Sequence, residues 1–300
     1  MTIYVIGGIN QDIVATSENH LRPGETLTGT GLAYYPGGKG ANQAIAAARA
    51  GSPVTMIGCT GDDAFGDGLR SYLAESGVDI SGVTVNKDVP TGTALIIVAK
   101  GENSIMVVLG ANQRVMPESV HGIDFEKDDV VVAQFETPLE TTLLAFEAAK
   151  NVGARTLLNP SPINGSINQE LLNATDVLVV NEHEFTSIFK APLEPLLSGK
   201  AKKPEQFLGT LVITLGEEGV STWHEDESIK LEGRAVDVID STGAGDCFMG
   251  YLASGLHEKK DLAAAINLAN IAASISVTRA GAASSLPTQQ EVEQSLRDCK

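Results

Sequence analysis

Two aspartates flank a run of small residues in "DSTGAGDCFMG", residues 240–250. Small residues let backbone N–H groups approach a ligand closely. A helix beginning there would add about half a positive charge at the same place. The stretch could therefore form an anion site that needs no arginine, built on Gly243, Ala244 and Gly245. Asp246, in the first helical turn, could accept the proton of a hydroxyl attacking a phosphorus centre. A plain strand-to-helix turn with an acid in its first turn has the same pattern, and so short a motif does not choose between them.

Two further stretches offer matching chemistry. In "PGGKGANQA", residues 36–44, Gly37 and Gly38 form a flexible joint before Lys39. A cation at a helix start opposes the helix dipole, so Lys39 calls for an anion. Asn42, one turn on, could hydrogen-bond a polyol. In "NEHE", Asn181 and Glu184 lie three apart and share one helical face. Together they could hold Mg²⁺ through water, or they could be an N-cap with an acidic first turn. Asp240, six residues before Asp246, could help hold a monovalent cation at a strand end.

The elements that must position these residues follow from apolar patterning. "TIYVIGG" reads as a buried strand, and "GGKGANQAIAAARAG" as a glycine turn plus an alanine-rich helix ending at Gly51. "PVTMIG" is a strand and "AFGDGLRSYLAESG" an amphipathic helix. From about residue 128 short apolar strands alternate with helices, through "DDVVVAQFE", "RTLLNPSP", "DVLVVNEHEF", "TLVITLGEEGV" and "AVDVID". That alternation predicts an α/β fold whose parallel sheet is covered on both faces. Ligands in such sheets bind at the carboxyl ends of the strands, where Asn10, Asp12, Glu136, Asn159, Asn181, Thr214 and Asp240 to Asp246 fall. Residues 21–36 read as a small hairpin. "TGTALIIVAKGENSIMVVLG" reads as two strands joined by Lys100 to Asn103. These stretches predict a small separate sheet built from residues 10–36 and 83–110 of one 300-residue domain.

Composition narrows the classes. The chain has 300 residues, 43% of them hydrophobic, and a formal net charge of −17. Such a surface repels nucleic acid and anionic membranes, so neither is an expected partner. An anionic substrate would have to be held by local amides, a lysine or a divalent cation. Cys59, Cys247 and Cys299 form no CxxC pair and read as reduced thiols. No membrane span or signal peptide is recognisable, and a cytoplasmic protein is expected. The sequence has no GxxxxGK[ST], GxGxxG, HExxH or GxSxG motif, which disfavours Walker, dinucleotide, zincin and serine-hydrolase chemistry.

"GGKGANQAIAAARAG" and "DSTGAGDCFMG" resemble the two signatures of the ribokinase/PfkB family of carbohydrate kinases. "GGINQD", "PGET", "IGCTGDDAFG", "LNPSP", "NEHE", "ITLGEEG" and "SVTRAGAASSLP" fall in family order along nearly the whole chain. The resemblance implies a ribokinase-like three-layer α/β/α fold with a mainly parallel central sheet, plus a small β-sheet lid that often mediates homodimerisation. It implies transfer of the γ-phosphoryl group of ATP to a sugar hydroxyl, with D-ribose as the leading acceptor. The alternatives are 2-deoxyribose, a hexose or a nucleoside and, from another class, a non-catalytic sugar- or nucleotide-binding regulator.

By position, the resemblance makes Asp246 the base and Thr242 to Gly245 the anion hole. It assigns Asn10, Asp12, Gly38, Asn42 and Glu136 to the sugar, and Lys39 to both sugar and phosphate. Asn181 and Glu184 would organise phosphate and Mg²⁺, while Thr214, Gly216, Gly219 and Asn270 would line the nucleotide. An activating K⁺ would sit near Asp240, Thr242, Ser276, Arg279, Gly281 and Ser285. Residues 189–210 depart from the family pattern and lack the glycine usual shortly after the NxxE helix.

Overall fold

The structure is a computed structural model that describes residues 1–163, 167–224 and 227–298. Cys299 lies outside the described residues. Strand β1 (Ile3–Ile6) leads into β2 (Asn10–Thr16), which pairs antiparallel with β3 (Gly31–Gly37). Helix α1 (Lys39–Arg49), β4 (Val54–Gly61), α2 (Ala64–Glu75) and β5 (Asp79–Asn86) follow. The hairpin β6 (Gly92–Ala99) and β7 (Glu102–Val108) turns at Lys100 and Gly101, both at positive φ. Then come β8 (Val130–Ala133), α3 (Leu139–Val152), β9 (Arg155–Leu158), α4 (Gln169–Asn173), β10 (Val177–Asn181), α5 (Glu182–Phe189) and α6 (Glu194–Leu197). The chain closes with β11 (Thr210–Thr214), β12 (Val220–His224), β13 (Glu227–Leu231), α7 (Ala244–His257), α8 (Leu262–Ser276) and α9 (Gln289–Asp298).

Nine strands form one sheet in the order β13-β12-β11-β10-β9-β8-β1-β4-β5, parallel except for β12 and β13 at one edge. The inner strands β1, β8 and β10 are nearly continuous apolar runs because alternate residues feed opposite cores. Ile3, Val5, Val130, Val132, Val177 and Val179 meet α1, α7 and α8. Ile6, Val131, Ala133, Leu178 and Val180 meet Phe146 and Phe185 on the other face. A second sheet of four strands, β3-β2-β6-β7, stands apart. The α/β architecture with a smaller second sheet is the one expected from the sequence. Among the described residues no helix is long and apolar enough to cross a membrane.

Three local expectations are corrected. The partner of β3 is β2, not a strand within residues 21–36, so Asn10 and Asp12 lie on a strand of the small sheet. Residues 83–86 belong to β5 in the main sheet, and the second segment of the small sheet begins at Gly92. "AVDVID" alternates like a strand but joins no sheet. The amides of Ile239 and Asp240 instead donate to Val277 O, just past α8. In the divergent stretch Lys190 caps α5 in the left-handed region, φ 51°, a conformation that favours glycine.

Candidate active site

The alanine-rich face of α1 and the glycines of α7 let these two helices touch. A Cβ on Gly250 would lie 2.6 Å from Gln43 O, so only glycine allows this approach. One turn earlier, Asp246 is thereby pressed against α1. Asn42 Nδ2 donates to Asp246 Oδ2 at 3.0 Å, and Gln43 Nε2 donates to Oδ1 at 2.9 Å. Asp246 is buried, 6% exposed. The buried Asn42 Oδ1 finds no partner among the described residues, which leaves an acceptor open to a hydroxyl.

On one side of Asp246 lies a cluster of acids. Glu136 Oε2 accepts the Lys39 amide at 2.7 Å, at the N-terminus of α1, which contains no first-turn acid of its own. Asn10 Nδ2 donates to Glu136 Oε1 at 3.2 Å. Gly38 caps α1 at φ 92°. Burial, with the Asp246 charge second, pushes Asp12 up to about 6. Burial also lifts Glu136 to about 7, against the pull of the Lys39 amide and charge. Burial alone would lower Lys39, but Asp246, Glu136 and Glu184 outweigh it and hold the ammonium above its ordinary range. The structure thus brings Asn10, Asp12, Gly38, Lys39, Asn42 and Glu136 together around the Asp246 carboxylate.

On the other side two cavities meet. A polar one of about 240 Å³ is lined by Lys39, Asn159, Asn181, Glu184, Gly243 and Asp246. A larger one of about 490 Å³ is walled by Val236, Phe248 and Ala273, with Thr214, Gly216, Gly219 and Asn270 in its lining. Thr214, Ser241 and Gly245 line both. Gly243 sits at φ 76° as the N-cap of α7, turning the chain so that first-turn amides face this junction. The Thr242 amide is taken by Asp240 Oδ1 and the Ala244 amide by Ser241 O. Of the expected anion hole, Gly243 and Gly245 remain to donate, with the Asp246 amide. A Cβ on Gly245 would meet open space.

Asn181 and Glu184 form a capping box. Asn181 Oδ1 accepts the Glu184 amide at 2.8 Å, and Glu184 Oε2 accepts the Asn181 amide at 2.9 Å. The capping use and the cavity lining coexist, because Glu184 keeps a second oxygen. Asp240 accepts amides from Thr242 at 2.9 Å and Gly281 at 2.8 Å. Burial raises it, but these bonds outweigh burial and hold the carboxyl below its ordinary range. Ser276 and Ser285 hydroxyls donate to backbone carbonyls at 2.9 Å, and Ser276 also hydrogen-bonds the Cys247 side chain. Arg279 is paired with Glu291, so its guanidinium is turned toward α9.

Sequence reasoning missed Gln43, Asn112 and Gln134. Gln43 was legible: Lys39, Asn42 and Gln43 fall at i, i+3 and i+4, one helical face. Asn112, fully buried, accepts the Ile9 amide at 2.9 Å and donates to Asn10 Oδ1 at 2.7 Å. Nothing local in the sequence marks that contact across 102 residues.

The family described as "pfkB family carbohydrate kinase" matches residues 2–289 of the chain. A ribokinase of Haemophilus influenzae is 38% identical over 296 residues, covering 97% of this chain and 96% of that one. A deoxyribokinase of Salmonella typhi is 32% identical over 302 residues, covering 99% of both. The structure of Arabidopsis thaliana ribokinase complexed with ribose and ATP superimposes with a TM-score of 0.89 at 29% identity, covering 98% of both chains.

Proposed function

The chain belongs to the pfkB family of carbohydrate kinases and is an ATP-dependent sugar kinase, and we propose that its acceptor is D-ribose, converted to ribose 5-phosphate. The observation that carries this is the junction at Gly245 and Asp246. There the larger cavity with its apolar walls, a set of open amides and a cluster of side chains suited to a polyol converge on one carboxylate. ATP fits the larger cavity, with its base against Phe248 and Ala273 and its phosphates at Gly243 and Gly245. Asn181 and Thr214, lining the polar cavity and its junction, reach the same phosphates. Gly216, Gly219 and Asn270 line the nucleotide. Ribose fits between Asn10, Asp12, Gly38, Asn42 and Glu136, where carboxylates accept from adjacent hydroxyls.

The reaction follows from these placements. Asp246 takes the proton of the sugar hydroxyl while its oxygen forms a bond to the γ-phosphorus and the bond to ADP breaks. Gly243, Ala244 and Gly245 set the turn whose dipole faces the transferring charge, and Lys39 adds a cation there. Glu184, buried with one carboxylate oxygen free, suits Mg²⁺ held through water, which would neutralise phosphate charge. Asp240, Thr242, Ser276, Arg279, Gly281 and Ser285 surround the turn beneath the anion hole. The hydroxyl oxygens of Ser276 and Ser285 suit K⁺, with Thr242, Arg279 and Gly281 acting through backbone carbonyls. A K⁺ ion would add positive potential there.

The small sheet is the lid that closes on the sugar. Its apolar residues, including Leu32 at 62% and Met106 at 64% exposure, support a homodimer formed through it. The cell compartment proposed is the cytoplasm. A second reading, 2-deoxyribose as acceptor, is supported by the Salmonella typhi relative. Release of ADP across ribose, 2-deoxyribose, fructose, glucose and adenosine, with and without K⁺, decides. Ribose should give the highest kcat/KM, by at least about tenfold over 2-deoxyribose, because Asp12 loses a donor in the deoxy sugar. A higher value for any other acceptor would overturn the assignment.

A further inference from the structure

Asp246 does not stand alone on α1. Gln43, 1% exposed, donates from Nε2 to Asp246 Oδ1 at 2.9 Å. Its Oε1 accepts from Gln134 Nε2 at 2.7 Å, and Gln134 is 0% exposed. Gln43 Nε2 also lies 3.3 Å from Asn159 Oδ1, whose own amide donates to Val179 O at 3.1 Å. Asn42 holds the other carboxylate oxygen.

This chain of amides has a direction. A carboxylate accepts and cannot donate, so the Gln43 NH₂ must face Asp246. The Gln43 oxygen must then face Gln134, whose NH₂ meets it. The Gln134 oxygen ends the chain with no partner among the described residues, in the space a Cβ on Gly7 would need. An unpaired buried acceptor is a cost, and apolar side chains would fill this layer without it. The amides are therefore better explained by what they do to Asp246 than by packing.

We propose that Gln43, held by Gln134, is a positioning residue that fixes the orientation of the Asp246 carboxylate for proton transfer. Rotation of that carboxylate would break both the Gln43 and the Asn42 bonds. The inference rests on the reading of Asp246 as the base. Gln43 touches neither cavity and is absent from the polyol-binding set, so its loss should leave substrate affinity intact.

Gln43→Met keeps length and burial but removes the donor. It should lower kcat by about 10- to 100-fold with the KM values for ribose and ATP within about threefold of wild type. Gln134→Met, which leaves the donor but frees it to turn, should lower kcat less, by about three- to tenfold, again without a KM change. Calorimetric titration with ribose and with ATP confirms that each variant is folded and binding. If Gln43→Met does not fold, Gln134→Met decides alone. If both folded variants keep kcat within twofold of wild type, or lose affinity instead of kcat, the proposal is overturned. Asp246→Asn separates the two readings. If it retains turnover, the base assignment fails. If it is inactive while Gln43→Met is normal, only the brace fails.

Discussion

Around Asp12, Glu136 and Lys39 the site is made of charged side chains, Glu136 buried and the other two half-buried, whereas around Gly245 and Phe248 it is made of backbone amides and apolar walls. On the proposed function, the difference follows from what each half would hold. A neutral polyol is read by acceptors and donors at fixed points, and on the proposed reading the desolvated carboxyls of Asp12 and Glu136 would supply them at a cost visible in their raised values. A polyphosphate entering a protein of net charge −17 needs positive potential that no neighbouring acid can neutralise. On the proposed reading, backbone dipoles at the start of α7 would provide it, since an amide cannot be titrated or swing away. Substitutions should accordingly weigh more heavily on the acceptor half than on the nucleotide half.

The sharpest contrast pairs Asp12→Asn with Asn270→Ala. Asp12→Asn should lower kcat/KM for ribose by about 10- to 100-fold, through loss of charge-assisted hydrogen bonds, and leave the KM for ATP unchanged. Asn270 donates to Glu232 O at 3.0 Å and is one of many residues lining its cavity. Asn270→Ala should therefore raise the KM for ATP by less than about fivefold. Steady-state kinetics on both variants would break the comparison if the two losses were equal.

A smaller effect is expected from pH alone. Asp12 and Glu136 have folded values raised to about 6 and about 7, above the ordinary carboxyl range near 4. The stability they contribute is present below about pH 4 and lost as pH rises through those values. If ribose hydroxyls donate to the ionised forms, as proposed, ribose should raise the melting temperature more at pH 8 than at pH 5 by a few degrees. Differential scanning fluorimetry with and without ribose checks this. An equal shift at both pH values, or a larger one at pH 5, would show that these carboxyls do not bind as anions.

The same division decides what the sequence reveals. Lys39, Asn42, Asn181, Glu184 and Asp246 stand in compact motifs whose spacing places them on helix starts, and the structure brings them to one junction. The inner strands of the main sheet, such as Ile3–Ile6 and Val130–Ala133, are legible as short apolar runs, which only a sheet covered on both faces rewards. Pairing over distance is not legible. The β2–β3 pair closes over residues 17–30, which hold turn signals of their own, Pro23 and Gly24 among them. "AVDVID" has the alternation of a strand, but the carbonyl of Val277 captures its amides. Gln134 carries no local mark, because its meaning lies in Gln43, 91 residues away.

The central claim is that Asp246 takes the acceptor proton at the point where the two cavities meet. ADP release by Asp246→Asn, with ribose and ATP binding measured in parallel by calorimetry, tests it most directly. Binding of both ligands within about threefold of wild type, with kcat reduced by at least about 100-fold, is the expected result. Turnover within about tenfold of wild type, a barrier change of only about 1.4 kcal/mol, would contradict it.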